Sequence, residues 1–446
     1  MFKKILVANR GEIALRIIRA CKELSIPTVA VHSDVDRDSL HVKMADESVC
    51  IGPAQARQSY LSIPKILSAA EITNADAIHP GYGFLAENAE FSNVCKKCNV
   101  TFIGPTAEQI ELMGDKVHAR EAMKKVGIPM LESIAVDLNA PEDAIRKIQA
   151  VGLPVIVKAA AGGGGKGIKV VHEIDQLWQT IRTAQAEAQA AFGDSTVYVE
   201  KFLERAKHIE FQIAADMHGN VIHLGERDCS VQRRYQKVIE EAPAATLPRD
   251  VRDRMGKTIC AALSKLGYQS LGTVEFLMDE KFNFYFLEMN TRIQVEHPVT
   301  EQITGIDLVK LQLRLATGEK LPFTQGDVKF RGHAIEMRIN AEDPEKFYPS
   351  SGKITSLHLP GGPGVRIDYG VYDGFTVTPH YDSLLGKLIV HAETREEAIA
   401  RAQAALSELI IQGIHTNVPL HLRVLASPEF VECKTYTKFL DNLLKS

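Results

Sequence analysis

Five polar residues of unusual types occupy alternate positions in Glu288-Met-Asn-Thr-Arg-Ile-Gln-Val-Glu296: Glu288, Asn290, Arg292, Gln294 and Glu296. In an extended chain successive side chains point to opposite faces, so a period of two gathers all five on one side. A solvent-facing edge strand is the bland alternative, but it would carry mixed Lys, Glu, Thr and Ser. Acid, amide, cation, amide, acid is a different set. Two acids and an amide oxygen suit a hard divalent cation such as Mg²⁺, and one arginine suits a small bidentate anion.

The segment before it, Gly272-Thr-Val-Glu275-Phe-Leu-Met, is apolar and aromatic-rich, as is Phe284-Tyr-Phe-Leu, and a polar cluster separates them. The spacing predicts a hairpin with its turn near Lys281, which sets Glu275 opposite Glu288. Two carboxylates so placed repel unless a cation lies between them, and a slip of one residue would send Glu275 to the other face.

A third feature is Pro154-Val-Ile-Val-Lys158 followed by Ala-Ala-Ala-Gly-Gly-Gly164-Gly165-Lys166-Gly and a second apolar run from Ile168. Glycines let main-chain N–H groups approach an anion closely, and such loops bind phosphate. No Gly-Lys-Ser/Thr closes the run and no helix signal follows, so this is a strand–loop–strand flap and not a P-loop.

These groups need a large scaffold. The chain has 446 residues, enough for two or three domains, with 45% hydrophobic and 24% charged residues and a net charge of −4. That balance offers no basic excess for a nucleic-acid backbone. No stretch approaches the roughly 20 apolar residues of a membrane helix, and the N-terminal apolar run is too short for a secretory leader. Seven dispersed cysteines read as thiols in a reducing compartment. The expectation is a cytoplasmic protein with no nucleic-acid or membrane partner. Cys95-Lys-Lys-Cys98, after a helix beginning near Ala86, lacks the second pair that tetrahedral zinc needs, and Cys229 reads as a buried thiol.

Residues 1–114 alternate buried-strand runs (Ile5–Ala8, Thr28–His32, Ala77–His79, Thr101–Gly104) with helical patterns (Glu12–Leu24, about Tyr60–Ala70, from Ala86), which predicts a doubly wound parallel sheet. Asn9-Arg-Gly11 lacks the glycines of a dinucleotide fingerprint. His79-Pro-Gly-Tyr82-Gly83-Phe-Leu-Ala-Glu87-Asn is a turn at a strand's carboxyl end, where open α/β sheets bind ligands. Lys116 opens a helix to Val126, so Ala122-Met-Lys124-Lys125, which superficially resembles a biotin-attachment sequence, is helical and unsuited to it. A small α/β unit over about 130–205 carries the glycine run and Glu200-Lys201-Phe-Leu203. Strand-rich sequence over 207–290 with a helix near Asp250–Leu266 follows, and after Ile306 comes a helix to Thr317. Residues 331–446 read as a mixed sheet with Pro/Gly turns and a closing helix from Arg395 capped by Thr394. Overall the class is α/β, α+β when the whole chain is considered.

The flap, the Glu-Lys strand end and the acidic hairpin together resemble the ATP-grasp superfamily. His79-Pro-Gly-Tyr-Gly-Phe-Leu-Ala-Glu-Asn, Glu226-Arg-Asp-Cys-Ser-Val-Gln-Arg-Arg and Glu288-Met-Asn-Thr-Arg-Ile-Gln-Val-Glu-His-Pro narrow the resemblance to biotin carboxylase, in the form of the free-standing bacterial acetyl-CoA carboxylase subunit, over essentially the whole chain. That resemblance implies an N-terminal domain (1–114), an ATP-grasp domain (115–330, lid about 130–205) and a C-terminal domain (331–446). It implies ATP, Mg²⁺ or Mn²⁺ with two ions, and bicarbonate. It implies biotin as a carrier-bound substrate, a biotin carboxyl carrier protein and carboxyltransferase subunits as partners, and a homodimer. By the same resemblance Glu275, Glu288 and Asn290 are metal ligands. Lys116, Lys158, Gly164, Gly165, Glu200, Lys201, Leu203, His208, Gln232 and Tyr235 serve ATP, with Lys237 reaching the transferred phosphoryl group. Arg292, Gln294, Val295 and Lys237 hold bicarbonate, Glu296 is its base, and Arg338 with Tyr82 and Gly83 serves biotin. Tyr235, where His or Asn is expected, and Lys166, where Arg is usual, depart from the pattern. Another ATP-grasp carboxylate ligase, a biotin carboxylase subunit of another acyl-CoA or pyruvate carboxylase, and an ATP-sensing module are the alternatives.

Overall fold

The computed structural model describes residues 1–136, 141–159, 168–193 and 195–445. Gly164, Gly165 and Lys166 lie outside the described residues. The N-terminal strands β1 (Ile5–Val7), β2 (Thr28–Ser33), β3 (Glu47–Gly52), β4 (Ala77–His79) and β5 (Thr101–Phe102) form a parallel sheet in the order β3-β2-β1-β4-β5. β1, β2 and β4 are wholly buried, which explains why they read as unbroken apolar runs and not as alternating ones. Two helix starts shift from their expected positions for local reasons. One begins at Ala89 because the Asn88 side chain accepts from the Phe91 N–H, and another at Ile63, with Pro64 in its first turn. Cys95 therefore lies inside the helix, buried, and Cys98 at its end.

A second, antiparallel sheet of β6 (Ser133–Ala135), β7 (Val155–Ala159), β8 (Ile168–Val171) and β9 (Val197–Lys201) runs in the order β6-β9-β7-β8, backed by the helix Leu177–Phe192. Lys158 and Glu200 sit at its strand ends.

The largest sheet contains β10 (Lys207–Ala215), β11 (Val221–Arg233), β12 (Gln236–Ala242), β13 (Ser270–Met278), β14 (Phe284–Asn290) and β15 (His333–Asn340). After the short β16 (Gly352–Lys353) and β17 (Ser356–His358) come β18 (Val365–Tyr369), β19 (Thr376–Val377), β20 (Leu384–Ala392) and β21 (Ile410–Gln412). Eight strands join in the order β14-β13-β10-β11-β12-β15-β20-β18, every pair antiparallel. The C-terminal strands, expected in a mixed sheet, are thus antiparallel and continuous with those before them. The closing helix spans Arg395–Glu408, with the Thr394 hydroxyl accepting from the Glu397 N–H. Among the described residues no helix is long and apolar enough to cross a membrane.

Candidate active site

Side-by-side strands place one row of charge across the large sheet. Glu288 on β14 faces Glu275 on β13, Glu275 faces Glu210 on β10, and Glu210 faces Arg227 on β11. The first pairing depends on a bulge. Phe276 pairs with Phe286 but Glu275 with Glu288, so Leu287 is the extra residue. Were the Phe276–Phe286 register to run on unbroken, Leu287 would lie opposite Glu275 and Glu288 opposite Val274, on the other face.

Glu275 is buried and saturated. Its oxygens take His208 Nε2 at 2.7 Å, the Lys237 ammonium at 3.0 Å, and the Asn290 and Gln294 amides at 2.8 Å each. Burial alone would raise this acid, but Lys237 and His208 hold it well below the usual carboxylate range. Glu288 differs. Its side chain opens to the solvent of the cleft although protein surrounds the cleft mouth, and among the described residues no bonded partner is found for it. Burial and the Glu275 charge push it up, a strain that a cation between the two acids would relieve. Two buried clusters, His208–Glu210–Glu275 and Glu210–Cys229–Glu296, have metal-like spacing. Lys237 and Arg227 already supply their positive charge, so the Glu275–Glu288 opening is the better cation site.

The extended run expected through Glu296 stops at Asn290. Thr291–Val295 is a loop, and Glu296 is the N-cap of the helix His297–Thr304, which has Pro298 in its first turn. The five residues still converge, but a turn brings them together and not a flat strand. Arg292 lies across the turn. Its Nε donates to Glu87 at 2.9 Å and its two terminal nitrogens to the side-chain oxygens of Gln294 at 2.8 Å and Asn290 at 3.0 Å.

Lys237 ties the two ends of the site together. Its ammonium lies 2.5 Å from Glu210, 3.0 Å from Glu275 and 2.6 Å from Glu296. Glu296 is fully buried and also takes Arg338 at 2.9 Å, and Arg338 pairs with Glu240 at 2.5 Å. Against the upward push of burial, Lys237, Arg338 and Arg227 keep Glu296 well below the ordinary range, so it is ionised. Burial pushes Glu240 up to about 7 despite Arg338. Burial raises the Cys229 thiol, which agrees with an inert buried cysteine.

At the other end Glu200 takes Lys158 at 2.6 Å, Arg120 at 3.0 Å and the Ser133 hydroxyl. The Lys201 ammonium donates to the Gly152 and Leu153 carbonyls at 3.1 and 2.7 Å. Lys116, Leu203, Gln232 and Tyr235 complete this wall; Lys116 and Tyr235 are exposed, Tyr235 in the tight β11–β12 turn. Tyr82 and Gly83 line the opposite end, with the Tyr82 hydroxyl on Glu12. One cleft of about 2060 Å³ contains every candidate residue among the described ones. Sequence reasoning missed Glu87, Arg120, Glu210, Arg227 and Glu240. Glu210, Arg227 and Glu240 are charged residues inside buried strands, which tolerate them only when they are paired, whereas Glu87 lies in a turn and Arg120 on the helix Lys116–Lys125, with no spacing to mark them.

An open α/β sheet and an antiparallel sheet with an acid-bearing hairpin, a buried lysine and a cation-gripped carboxylate define an ATP-grasp ligase. Family models match the chain as biotin carboxylase N-terminal domain over 1–110, carbamoyl-phosphate synthase L chain ATP-binding domain over 115–324, and biotin carboxylase C-terminal domain over 336–442. Biotin carboxylase of Haemophilus influenzae is 55% identical, covering 100% of this chain and 99% of that one. Two solved structures share the fold. The biotin carboxylase domain dimer of Hydrogenobacter thermophilus 2-oxoglutarate carboxylase, in complex with MgADP, ADP and bicarbonate, has TM-score 0.92 and 48% identity, covering 100% and 99% of the two chains. The Campylobacter jejuni biotin carboxylase–β,γ-ATP complex has TM-score 0.94 and 47% identity, covering 99% of each. The chain belongs to the biotin carboxylase family of ATP-dependent ligases.

Proposed function

We propose that this chain carries out the first half-reaction of acetyl-CoA carboxylase, in which ATP and bicarbonate carboxylate biotin on a biotin carboxyl carrier protein. Carboxyltransferase subunits then use the product to make malonyl-CoA for fatty acid synthesis. The observation that carries this reading is the single Lys237 ammonium bonded to both Glu275, beside the cation opening, and Glu296, beside Arg292. One group thus touches the phosphate end and the carbonate end of the same cleft.

In this reading Glu275, Glu288 and Asn290 hold magnesium or manganese, as two ions, which when bound neutralise phosphate charge. Lys116, Lys158 and the Gly164 and Gly165 amides neutralise the rest. The carboxylate of Glu200 and the ammonium of Lys201 are already taken up by protein partners, so adenine falls to their main chains and to Leu203. His208 and Gln232 flank the ribose, with Tyr235 at the rim. Arg292, Gln294 and the Val295 amide orient bicarbonate, and ionised Glu296 takes its proton. The freed oxygen attacks the γ-phosphorus, ADP leaves, and Lys237 steadies the charge on the phosphoryl group in transit. The carboxyl group then passes from carboxyphosphate to a ureido nitrogen of biotin: the bond between the carboxyl carbon and the phosphate oxygen breaks, and inorganic phosphate leaves and takes the nitrogen's proton. Arg338 stabilises the enolate, and Tyr82 and Gly83 line the pocket. The homodimer is proposed from the dimeric Hydrogenobacter neighbour, and a cytoplasmic setting from the seven free thiols. That neighbour belongs to a 2-oxoglutarate carboxylase, so a keto-acid acceptor is the second reading.

Phosphate release with and without bicarbonate and free biotin, on wild type and Glu288→Lys, tests the proposal. We expect a biotin-stimulated, bicarbonate-dependent rate that the substitution abolishes by placing a cation where the metal binds. A substitution that leaves the rate unchanged overturns the metal assignment. Hydrolysis indifferent to bicarbonate overturns the function. Supplying acetyl-CoA or 2-oxoglutarate transferase partners separates the two acceptors.

A further inference from the structure

Beyond Asn290 the chain has left the ladder of the sheet, yet the groups of Thr291–Glu296 need fixed positions for carbonate chemistry. Two buried side chains grip the turn from behind. His297 Nδ1 lies 2.7 Å from the Gln294 carbonyl; a carbonyl only accepts, so this nitrogen carries the hydrogen. Lys387 on β20 is fully buried, and its ammonium donates to the Val295 carbonyl at 2.8 Å and pairs with Glu12 at 3.2 Å. A planar trans peptide whose carbonyl is fixed has its N–H fixed in the opposite direction. His297 therefore sets the direction of the Val295 amide, and Lys387 sets the Val295–Glu296 plane from which the Glu296 side chain departs. Glu12, from the helix Gly11–Glu23, also accepts the Tyr82 hydroxyl.

We propose that Lys387 is a positioning residue for the carbonate step: it holds the Val295–Glu296 turn through the Val295 carbonyl, and Glu12 anchors it while tying the same ammonium to Tyr82. The inference rests on the reading that this turn receives bicarbonate. A lysine kept only to balance buried acids would need no main-chain acceptor; the carboxylate of Glu336, on neighbouring β15, has no hydrogen-bond partner among the described residues. The ammonium instead lies on the one carbonyl that orients the base.

The test compares Lys387→Met and Lys387→Gln in the intact protein. Losing a charge-assisted bond to a buried carbonyl should lower kcat/KM for bicarbonate in the Met variant about ten- to a hundredfold. Its ATP KM should stay within about twofold. The Gln amide can donate to the same carbonyl and should recover part of the loss. Hydrogen exchange of the peptide spanning 291–299, measured without substrates, should accelerate in the Met variant and much less in the Gln variant. A wild-type kcat/KM for bicarbonate with wild-type exchange overturns the proposal. If the Met variant does not fold, Glu12→Gln carries the test through a several-fold lower kcat/KM for bicarbonate, and an unchanged value overturns it. Loss of bicarbonate dependence in the wild type itself would remove the function reading, while the exchange measurement still decides whether Lys387 holds the turn.

Discussion

Lys237→Met probes the centre of the site. The substitution keeps the length of the stem and removes one ammonium from three carboxylates at 2.5, 3.0 and 2.6 Å. Each acid keeps one other basic partner: Arg227 for Glu210, His208 for Glu275, which also keeps the Asn290 and Gln294 amides, and Arg338 for Glu296. The loss is therefore that of one broken buried ion pair and not of three, about 3–5 kcal/mol. For a protein of this size that corresponds to a fall of roughly 3–5 °C in unfolding temperature near pH 8. The pH dependence has a definite sign. In the wild type Glu275 and Glu296 are depressed below 4.5, so their stabilisation is present above that value and fades only as pH drops beneath it. Without Lys237 both acids rise and take up protons in mildly acidic solution, which relieves their repulsion. The deficit should be largest at pH 8 and shrink toward pH 5. Scanning fluorimetry across that range measures it, and phosphate release should fall on the order of 10²–10³-fold, the worth of one preorganised charge on the transferred group. An unfolding temperature equal to that of the wild type at pH 8, or a deficit constant with pH, would refute the reasoning.

Two further outcomes are expected. Arg292→Lys loses a planar fork that meets Glu87, Gln294 and Asn290 at once. The bicarbonate KM, read by phosphate release, should rise about tenfold or more, while unfolding temperature changes little. Away from the cleft, Glu241 pairs with His333 at 2.9 Å and Arg395 at 2.6 Å; burial opposes ionisation, but these partners lower the acid from 4.5 to about 2. Glu241→Gln should cost on the order of 3 kcal/mol above pH 5, and urea titrations should show that penalty vanish as pH falls from about 4.5 toward 2.

The hairpin and the parallel sheet were legible because local patterns dictate them; the register that sets Glu275 against Glu288 was legible only to within one residue. The bulge at Leu287 was not, since an unpaired residue in an apolar strand looks like its neighbours. Nor was the end of the strand at Asn290: the alternation continues to Glu296, and only the helix begun by His297-Pro298 cuts it short. Glu210 stands alone among apolar residues, whereas Arg227 lies between Glu226 and Asp228 and Glu240 precedes Glu241, and only the strand order β13-β10-β11-β12-β15 makes them a cluster. Strand order is a long-range property that no local spacing encodes. The carboxylates of Glu200 and Glu12 were hidden for the same reason, their partners lying more than forty residues away in sequence.

β12 and β15 are zipped together from Ile239–Met337 to Ala242–Ala334, although the family matches for the second and third segments end at 324 and resume at 336. A truncation made in that gap would not release two tidy modules. It would tear a continuous ladder, bare two sticky borders to intermolecular pairing, and separate Glu240 from the arginine it restrains. The seam visible in sequence comparisons is thus not a place where this protein can be cut.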